Sequence, residues 1–557
     1  MKLVFAVNSI FPKRRIRINR FPPDSFVTRK TALTGIFLPF GCNILSGSLP
    51  VFTFDRKSMI MKPKVVIIGG GIAGLSAGIY AAMNGFETEI LEMHSVAGGQ
   101  CTAWERRKFH FDYCLHWLVG TSKGAFHDIW KETNVLNDYT EIIDHEIHSQ
   151  IMDTSGNKFI IYTNIERWEK YLLEIAPEDE MPIRKMCRDM RRSVALEPFS
   201  LPPELRNLFE YIRLLPKMFP LFRVVQKYGR LTCREYFDKL NFKSDKIRSA
   251  LYAMYGDQNF SALAFLFMLG WFNQKNAGYI KGGSYPLAQR MVEKFNKLGG
   301  RLSYNKKVAK ITVKEDKVRG VILEDGTIIP ADYVISAADG YTTIFKMLEG
   351  KYLSKKFDYA YKNWELFKPL VQVSFGISDV VKSDAPVIFC CAKGMTIGKT
   401  LLDSGFSVMN YSYDDTMAPE GKTTIVMRYE SPWKLWENLE GENYLKEKKQ
   451  IQKDAIARLE MIFPGISEFI EVVDIATPKT NVRYTGVKEG AYEGFLPSRE
   501  NMMKSLKMYL PKLQNFYMAG QWLFPGGGLP PSAQSGKWAV QLICKTRKQG
   551  FISKPAC

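Results

Sequence analysis

The sequence predicts an α/β protein in which a dinucleotide-binding domain is interleaved with an α+β domain. Two glycine-rich turns predict the first domain. Each follows a short apolar strand and precedes a helix, one turn near Gly69 and the other near Gly526. Long amphipathic and aromatic stretches without such turns separate them and predict the second domain. The 557 residues are enough to bury a large core.

Three consecutive elements predict a βαβ unit of the Rossmann type. Apolar strands are expected at Val65–Ile68 and Thr88–Leu91, with a helix at Ile72–Met83 between them. Because a dinucleotide binds where the first strand turns into the helix, this unit predicts a nucleotide site near residue 70.

The glycines of this turn have the GxGxxG spacing. Gly69 permits the tight turn, Gly71 lets a pyrophosphate approach the backbone, and Gly74 lets the helix pack closely on the sheet. Glu92 ends the second strand, where a carboxylate binds a ribose diol. An acidic residue there indicates a nucleotide without a 2′-phosphate.

Two further segments extend the predicted site. Gly98 and Gly99 form a second glycine turn, which fits a bulky group beyond the pyrophosphate. Near the C-terminus, a strand at 516–519 leads through Gly526–Gly528 into a helix from about Ser532. The N-terminus of such a helix carries partial positive charge, which stabilises a reduced, anionic ring system.

Together these motifs resemble the FAD-dependent oxidoreductases of the phytoene desaturase and retinol saturase type, over residues 62–545. The resemblance implies a glutathione-reductase-like fold within the wider amine-oxidase group. It also implies an enzyme that desaturates or saturates carbon–carbon bonds of an apolar isoprenoid, carotenoid or retinoid-like molecule. FAD would be the cofactor, with a quinone, oxygen or NAD(P) as electron partner. By resemblance, the FAD-binding residues are Gly69, Gly71, Ile72, Ala73, Gly74, Glu92, Met93, Gly98, Gly99, Gln100, Val308, Gly520, Gln521, Gly528 and Leu529.

The resemblance also divides the chain into domains. The FAD-binding domain would comprise residues 61–150, 276–345 and 481–550, and the substrate-binding domain residues 151–275 and 346–480. In the middle FAD segment, we expect an amphipathic helix, a strand leading to Val308, and hairpin turns at Glu315-Asp316 and Asp325-Gly326. A return strand follows at 333–337. By resemblance, Val308 meets the adenine through its backbone.

The segment KFHFDYCLHWLVG, residues 108–120, is similar to a pattern of the saturase type that contains Asp112, His116 and Trp117. The usual glycine of this pattern is Cys114 here. His116 is therefore a candidate catalytic group, as a proton donor or a polar contact beside the flavin. The alternative is a buried histidine with a structural role.

Two other positions depart from the family pattern, and no metal site is expected. Gln100 stands where the family often has arginine, and Gln521 where an acidic residue is common. Gln521 can still hydrogen-bond a ribityl hydroxyl, but it carries no charge. The six histidines form neither HxH nor HExxH, so we interpret them as ordinary surface and core residues.

The net charge of +20 favours anionic partners. Nucleic acid is not expected, because no nucleic-acid motif is present. The basic and apolar stretch 205–228 is typical either of a peripheral contact with an anionic membrane or of an ordinary packed helix pair. The apolar run 260–272 is too short to span a bilayer and predicts either a substrate tunnel or a core helix.

Residues 1–60 form a basic leader, with ten Lys and Arg against two Asp. Such a leader is compatible with a transit peptide. Alternatively, translation starts at Met59 or Met61 and the leader is an extension of the gene model. The nine cysteines contain no CxxC pair, which predicts reduced thiols and a cytoplasmic protein, with peripheral membrane association as an option.

Two rival functions use a related fold. An enzyme of the amine-oxidase type would need a cage for a polar amine, which the sequence does not reveal. A prenyl-lipid escort of the GDP-dissociation-inhibitor type would hold a lipid tail without catalysis. The complete glycine turn with Glu92 argues against an escort, because an escort has no use for an intact cofactor site.

Overall fold

The computed structural model describes residues 62–193, 200–207, 212, 223–255, 259–502 and 504–554. The leader 1–60 and most of the stretch 205–228 lie outside these residues, so the expectations about them stay predictions. Within the described ranges, no helix is both long and apolar enough to cross a membrane.

The described helices are spread along the whole chain beyond Ile60. They are α1 (Ile72–Met83), α2 (Ala125–Glu132), α3 (Ile165–Ile175), α4 (Glu180–Ser193), α5 (Cys233–Leu240), α6 (Asp245–Tyr255), α7 (Ala262–Asn273), α8 (Ser284–Lys297), α9 (Lys355–Asn363), α10 (Gly441–Ile462), α11 (Pro478–Thr485) and α12 (Leu529–Thr546).

Several strands follow one another along the chain without a helix between them. The described strands are β1 (Lys64–Ile68), β2 (Glu87–Leu91), β3 (Ala103–Arg106), β4 (Phe109–Asp112), β5 (Ile142–Ile143), β6 (Ile147–Met152), β7 (Lys158–Tyr162), β8 (Tyr279–Ile280), β9 (Arg301–Ser303), β10 (Val308–Lys314), β11 (Lys317–Leu323), β12 (Ile328–Pro330), β13 (Tyr333–Ser336), β14 (Leu370–Ile377), β15 (Val387–Cys391), β16 (Thr396–Ile397), β17 (Thr400–Leu401), β18 (Gly405–Asn410), β19 (Thr423–Glu430), β20 (Ile470–Ala476) and β21 (Phe516–Met518).

A five-stranded parallel sheet with the order β21-β13-β1-β2-β9 contains the predicted βαβ unit. Strand β1 lies at its centre, where Val66 pairs with Val334 on one side and Glu89 on the other. Residues 65–68 are at most 3% exposed, because a central parallel strand is covered on both faces. The predicted α/β class and the helix at Ile72–Met83 are therefore confirmed.

Two of the predicted boundaries were wrong. The C-terminal helix begins at Leu529 rather than Ser532, because prolines fit the first turn of a helix, where no intrahelical N–H is needed. Val308 is the first residue of β10 rather than the end of a strand, because the chain crosses from β9 to β10 through a loop at 304–307. Both predicted hairpin turns are present, between β10 and β11 and between β11 and β12.

Close packing holds α1 between two helices that are distant in sequence. A Cβ on Gly536 would lie 2.4 Å from the carbonyl oxygen of Ala73, so the backbones of α12 and α1 touch. The Ser76 hydroxyl donates a hydrogen bond of 2.6 Å to the Ala533 carbonyl across the same contact. On the other side, Gly78 leaves room for the Phe295 ring of α8.

A second, seven-stranded sheet has the order β20-β14-β19-β18-β15-β6-β7. Its strands are antiparallel except for the parallel pair β15 and β6. Helix α10 contributes Ile451, Ala455 and Leu459 to the apolar core on this sheet, and helices α3 to α7 form a separate core around Trp168. The chain beyond Ile60 is one compact unit, and its division into FAD-binding and substrate-binding domains stays a prediction.

Candidate functional site

A large cavity lies where the carboxyl ends of β1, β2 and β13 meet side chains of the seven-stranded sheet. Its volume is about 2040 Å³. Small-molecule pockets usually measure roughly 300–1,000 Å³, so this cavity has room for two ligands. Every predicted FAD-binding residue except Gly74 lines it, and so does His116.

The first glycine turn forms one end of this cavity. Gly69 has a φ of +96°, a conformation that glycine adopts readily. Gly71 precedes α1 without a side-chain cap, and a Cβ there would have no neighbour closer than 3.8 Å. The first amide groups of α1, at Ile72 and Ala73, therefore face open space that suits a pyrophosphate.

Gly74 has the packing role that its position predicts. A Cβ at this residue would lie 1.9 Å from the carbonyl oxygen of Gly69 and 3.4 Å from the Cβ of Ala337. Since both atoms belong to the sheet side of the turn, only glycine allows α1 to approach the strands so closely.

Glu92 lies at the end of β2 and is held by the backbone. One carboxylate oxygen accepts a hydrogen bond of 2.6 Å from the Gly70 amide and the other accepts one of 2.8 Å from the His94 amide. Burial raises the pKa of this carboxyl, and the two backbone hydrogen bonds oppose the shift. The remaining lone pairs are available to a ribose diol.

Val308 and Met93 line the cavity beside Glu92. The Lys306 amide donates a hydrogen bond of 2.8 Å to the Glu92 carbonyl and so places the start of β10 against the end of β2. Met93 also approaches Gly486, whose Cβ position lies 3.9 Å from the methionine sulfur. These neighbours form the wall at which the resemblance places the adenine.

The second glycine turn packs directly on the first. The Gly98 amide donates a hydrogen bond of 2.9 Å to the Gly70 carbonyl, and a Cβ on Gly99 would lie 3.2 Å from the Cα of Gly71. The side-chain amide of Gln100 lies 3.5 Å from the Ala491 carbonyl and links this turn to the C-terminal part of the chain.

The C-terminal turn supplies the opposite wall. The Gly520 amide donates a hydrogen bond of 2.7 Å to the Ser535 hydroxyl, and Gln521 begins a short 3₁₀ helix. Gly528 precedes α12 without a side-chain cap. Since the two prolines that follow Leu529 have no N–H, the first turn of α12 offers the Leu529 amide to a ligand.

These residues fit FAD. The uncapped start of α1 suits the pyrophosphate, Glu92 suits a ribose diol, and the remaining length of the cavity suits a ribityl chain and ring system. When bound, FAD supplies hydride transfer, while the protein positions the reacting carbon and excludes water.

His116 presents a neutral imidazole to the cavity. Its Nδ1 lies 3.1 Å from the Cys114 carbonyl, which requires a proton on that nitrogen. The His116 ring is exposed to the cavity, and desolvation by the surrounding protein, with a smaller contribution from the Arg428 charge, lowers its pKa to about 4. At neutral pH its Nε2 is therefore a hydrogen-bond acceptor, which favours a polar contact over proton donation. A catalytic role stays a prediction.

Asp112 is a structural anchor and does not line the cavity. Its fully buried carboxylate accepts hydrogen bonds from the amide and hydroxyl of Ser284 and from the amides of Cys114 and Leu115. It thereby fixes the loop after β4 to the start of α8. Trp117, from the same loop, lines the cavity and lies 5.2 Å from the Phe272 ring.

The apolar run 260–272 contributes both to the cavity wall and to the core, and its role as a substrate tunnel stays a prediction. Ala264, Phe267, Met268 and Trp271 of α7 line the cavity, while Leu263 and Leu266 are buried. Strands β15 and β18 contribute further apolar side chains to the same space. These are Phe389, Phe406 and Met409.

Arg428 and Glu493 are among the charged residues of the cavity that sequence reasoning missed. The Arg428 guanidinium donates hydrogen bonds to the Gln372 side chain at 2.9 Å and to the Asp112 carbonyl at 3.0 Å. Glu493 belongs to no motif, and the signal that it offers is a single acidic residue within the apolar run AYEGFLP. Across the described ranges, no three His, Cys, Asp or Glu side chains are arranged to hold a metal ion.

The chain matches known proteins over most of its length. The family model described as flavin containing amine oxidoreductase matches residues 72–544. Prolycopene isomerase of Daucus carota is 23% identical over 85% of this chain and 78% of its own length. Phytoene desaturase (neurosporene-forming) of Rhodobacter capsulatus is 22% identical over 86% of this chain and 94% of its own.

Solved structures share the fold. An oxidoreductase from Methanosarcina mazei superposes with a TM-score of 0.57 at 16% identity, covering 86% of this chain and 99% of its own. A triple mutant of putrescine oxidase superposes with a TM-score of 0.58 at 15% identity, covering 87% and 99%. The glutathione-reductase-like fold and the FAD cofactor expected from the sequence are thereby confirmed. The chain belongs to the family of flavin containing amine oxidoreductases and is an FAD-dependent oxidoreductase.

Proposed function

We propose that the protein desaturates or saturates carbon–carbon bonds of a long apolar isoprenoid, with FAD as the hydride carrier. The observation that carries this proposal is the cavity, which continues from the glycine turns into a tunnel of apolar and aromatic side chains. A polyene is long, narrow and uncharged, so such a wall suits it. The carotenoid desaturases and isomerases among the relatives support the same substrate class.

The residues of the chain have distinct parts in this function. The glycine turns and Glu92 would hold the nucleotide half of FAD, and the turn at 520–529 would hold the flavin half. Helix α7, with Phe267 and Trp271, would align the polyene and exclude water from the reacting carbons. The Nε2 lone pair of His116 would orient a donor group at the junction of the two ligands.

The test begins with the visible spectrum of the purified protein. Absorption bands at about 375 and 450 nm are expected from bound flavin. The protein is then incubated without oxygen with phytoene, prolycopene, retinol or putrescine, and flavin bleaching and the polyene products are recorded. Conversion of a polyene, without bleaching by putrescine, is the expected result.

The rival functions predict other outcomes. Bleaching by putrescine alone would identify an amine-oxidase activity and overturn the polyene proposal. A purified protein that binds a prenyl lipid but contains no flavin would instead be an escort. A quinone, oxygen or NADP⁺ added after bleaching should restore the oxidised spectrum, and whichever restores it identifies the electron acceptor.

We further propose that the protein contacts an anionic membrane beside the cavity mouth. Arg234, Ser249 and Tyr252 line the cavity near its rim, on helices α5 and α6. Lys239, Lys243 and Lys246 lie on or next to the same two helices and are exposed. An apolar substrate is carried in the bilayer, and lysines near an anionic surface each contribute about 1 kcal/mol to binding.

Vesicle flotation tests this contact. Recovery with phosphatidylcholine vesicles is compared with recovery after phosphatidylserine is added, and stronger binding to the acidic vesicles is expected. Changing Lys239, Lys243 and Lys246 together to Gln should reduce that binding. A matched variant removes the same charge from α10, at Lys446, Lys449 and Lys453, and should bind as before. Equal recovery from both kinds of vesicle contradicts the proposal.

A further inference from the structure

Glu493 lies against the C-terminal glycine loop, at the end of the cavity proposed for the flavin. A Cβ on Gly527 would lie 2.2 Å from the Glu493 carbonyl oxygen, so the two backbones touch. The Gly526 amide also donates a hydrogen bond of 2.9 Å to the Phe495 carbonyl. These contacts hold the segment 493–495 on the loop 526–528.

The Glu493 carboxylate points along this loop into the cavity. Its Oε1 lies 3.7 Å from the Cβ position of Gly528, the residue before α12. The side chain lines the cavity together with Gln521 and Trp522. It is therefore close to both the proposed flavin site and the space left for the substrate.

Within the described part of the chain, this carboxylate accepts no hydrogen bond and forms no ion pair. Other acidic side chains near the cavity are satisfied: Glu92 accepts two backbone hydrogen bonds, and Glu430 pairs with Lys368 at 3.6 Å. Glu493 is half-buried in the cavity wall, and a carboxylate that faces a ligand cavity without a protein partner among the described residues is a candidate functional group.

Burial, rather than a neighbouring charge, sets the pKa of the Glu493 carboxyl. Tyr492 lies beside it on the chain, and the charges that act on Tyr492 include Glu430 and Arg428 of β19 and Tyr113 of the loop after β4. Arg428 is already bound to Gln372 and Asp112. Burial alone raises the pKa of Glu493 to about 7, so it can both accept and release a proton under physiological conditions.

We propose that Glu493 is the catalytic base, and in reverse the catalytic acid, of the polyene reaction; this inference rests on the proposed function. In desaturation, one carbon gives up a hydride, with its electron pair, to oxidised FAD. The adjacent carbon gives up a proton to a Glu493 carboxylate oxygen, and the electrons of that broken C–H bond form the new double bond. Glu493 then releases the proton to solvent, and the two electrons pass to the external acceptor, a quinone or oxygen. Saturation moves the same atoms in the opposite direction.

The first test detects the carboxyl itself and needs no turnover. Holoprotein labelled with isotopic glutamate is studied by infrared difference spectroscopy across a pH titration. The carbonyl stretch of a protonated glutamic acid should disappear with a midpoint near pH 7. Glu493→Gln should lack this band, whereas Glu430→Gln, which alters a paired glutamate of the same cavity, should keep it. Absence of the band from the unsubstituted holoprotein overturns the inference.

The second test measures turnover with whichever of phytoene, prolycopene and retinol the unsubstituted protein converts. Glu493→Gln should retain FAD and lose activity at least about 100-fold, the contribution expected of a general acid or base. Glu169→Gln, which alters a paired glutamate of α3 that does not line the cavity, should stay close to the unsubstituted rate. If Glu493→Gln folds poorly, Glu493→Asp, which retains a displaced carboxyl, should also be slow and should shift the pH midpoint.

The outcomes separate this inference from the proposed function. If the unsubstituted protein converts a polyene and Glu493→Gln converts it equally fast with FAD bound, the assignment of Glu493 is wrong and the proposed function stands. If the unsubstituted protein contains FAD and converts none of the three polyenes, the proposed function fails, and the inference fails with it.

Discussion

Gly74 and Gly69 meet at the start of α1, where a Cβ on Gly74 would lie 1.9 Å from the Gly69 carbonyl oxygen. Gly71, three residues earlier than Gly74, faces open cavity instead. Two glycines of one motif therefore have separable roles, one in the packing of the helix and the other in access for the ligand.

The access role predicts that Gly71→Val yields folded protein without FAD. The φ of Gly71 is −72°, so a valine fits the backbone, but its side chain would occupy the space of the pyrophosphate. We expect less than about a tenth of the FAD found in the unsubstituted protein. Flavin absorbance per polypeptide measures this loss, and circular dichroism checks the fold. Full FAD content in the variant would show that the pyrophosphate binds elsewhere.

The packing role predicts that Gly74→Ala destabilises the protein itself. The methyl group would push α1 away from the sheet, and overpacking of this kind typically costs about 1–3 kcal/mol. Thermal unfolding of the flavin-free protein measures the effect. Gly71→Ala is the matched control, because its methyl group would have no neighbour closer than 3.8 Å. Equal melting temperatures for the two variants would contradict this assignment.

The tunnel predicts that Ala264→Trp blocks the substrate and leaves the cofactor in place. Ala264 lies on the cavity face of α7, one turn before Met268. The added indole would fill the tunnel, and we expect kcat/KM for the polyene to fall at least about 10-fold. FAD content should not change, and Met268→Leu should have little effect because it preserves volume. An unchanged kcat/KM would place the substrate outside this tunnel.

Acid should destabilise the protein through His148. Burial, with His116 and His145 nearby, lowers the pKa of His148 to about 3. Below about pH 6.5 His148 becomes protonated in the unfolded chain but stays neutral in the folded protein. The free energy of unfolding therefore decreases as pH falls. At about pH 5 the loss is on the order of 2 kcal/mol. His148→Gln should remove this part of the difference in melting temperature between about pH 7.5 and pH 5.

The control for this acid effect is His110→Gln, which changes a side chain that is 45% exposed. This variant should lose as much stability in acid as the unsubstituted protein. If His148→Gln loses just as much, the acid sensitivity originates elsewhere in the chain.

His116 and Glu493 predict different pH dependences of turnover. The pKa of His116 is lowered to about 4, so it stays neutral across the physiological range, whereas the pKa of Glu493 is raised to about 7. His116→Gln keeps a hydrogen-bond acceptor, and we expect its pH profile to retain a midpoint near 7. If the pH profile of His116→Gln lacks this midpoint, the group that ionises near pH 7 is His116 and not Glu493.

Local chemistry explains which features the sequence could predict. The turn at Gly69, the helix that follows it and the hairpins at 315–316 and 325–326 depend on residues that are neighbours in sequence. The pairing of β6 with β15 joins residues more than 200 positions apart, and no local pattern specifies that partner. The seven-stranded sheet was therefore not foreseen.

The residues of the site also divide into those that a local motif predicts and those that it does not. The glycine turns and Glu92 could be found because their spacing is fixed by the phosphates and ribose that they bind. Glu493 and Arg428 enter the cavity from separate segments, and their importance depends on burial and on the presence or absence of partners. Those properties exist only once the chain has folded.

The order of strands in the parallel sheet affects when the enzyme can mature. Strand β21 and helix α12 come near the end of the chain, yet β21 pairs with β13 and α12 packs directly on α1. A nascent chain on the ribosome can form β1, α1 and β2 early, but it lacks the wall at 520–529 until the segment after β20 has been synthesised. FAD can therefore bind only after this segment has folded. A chain that ends before α12 lacks one wall of the proposed FAD site.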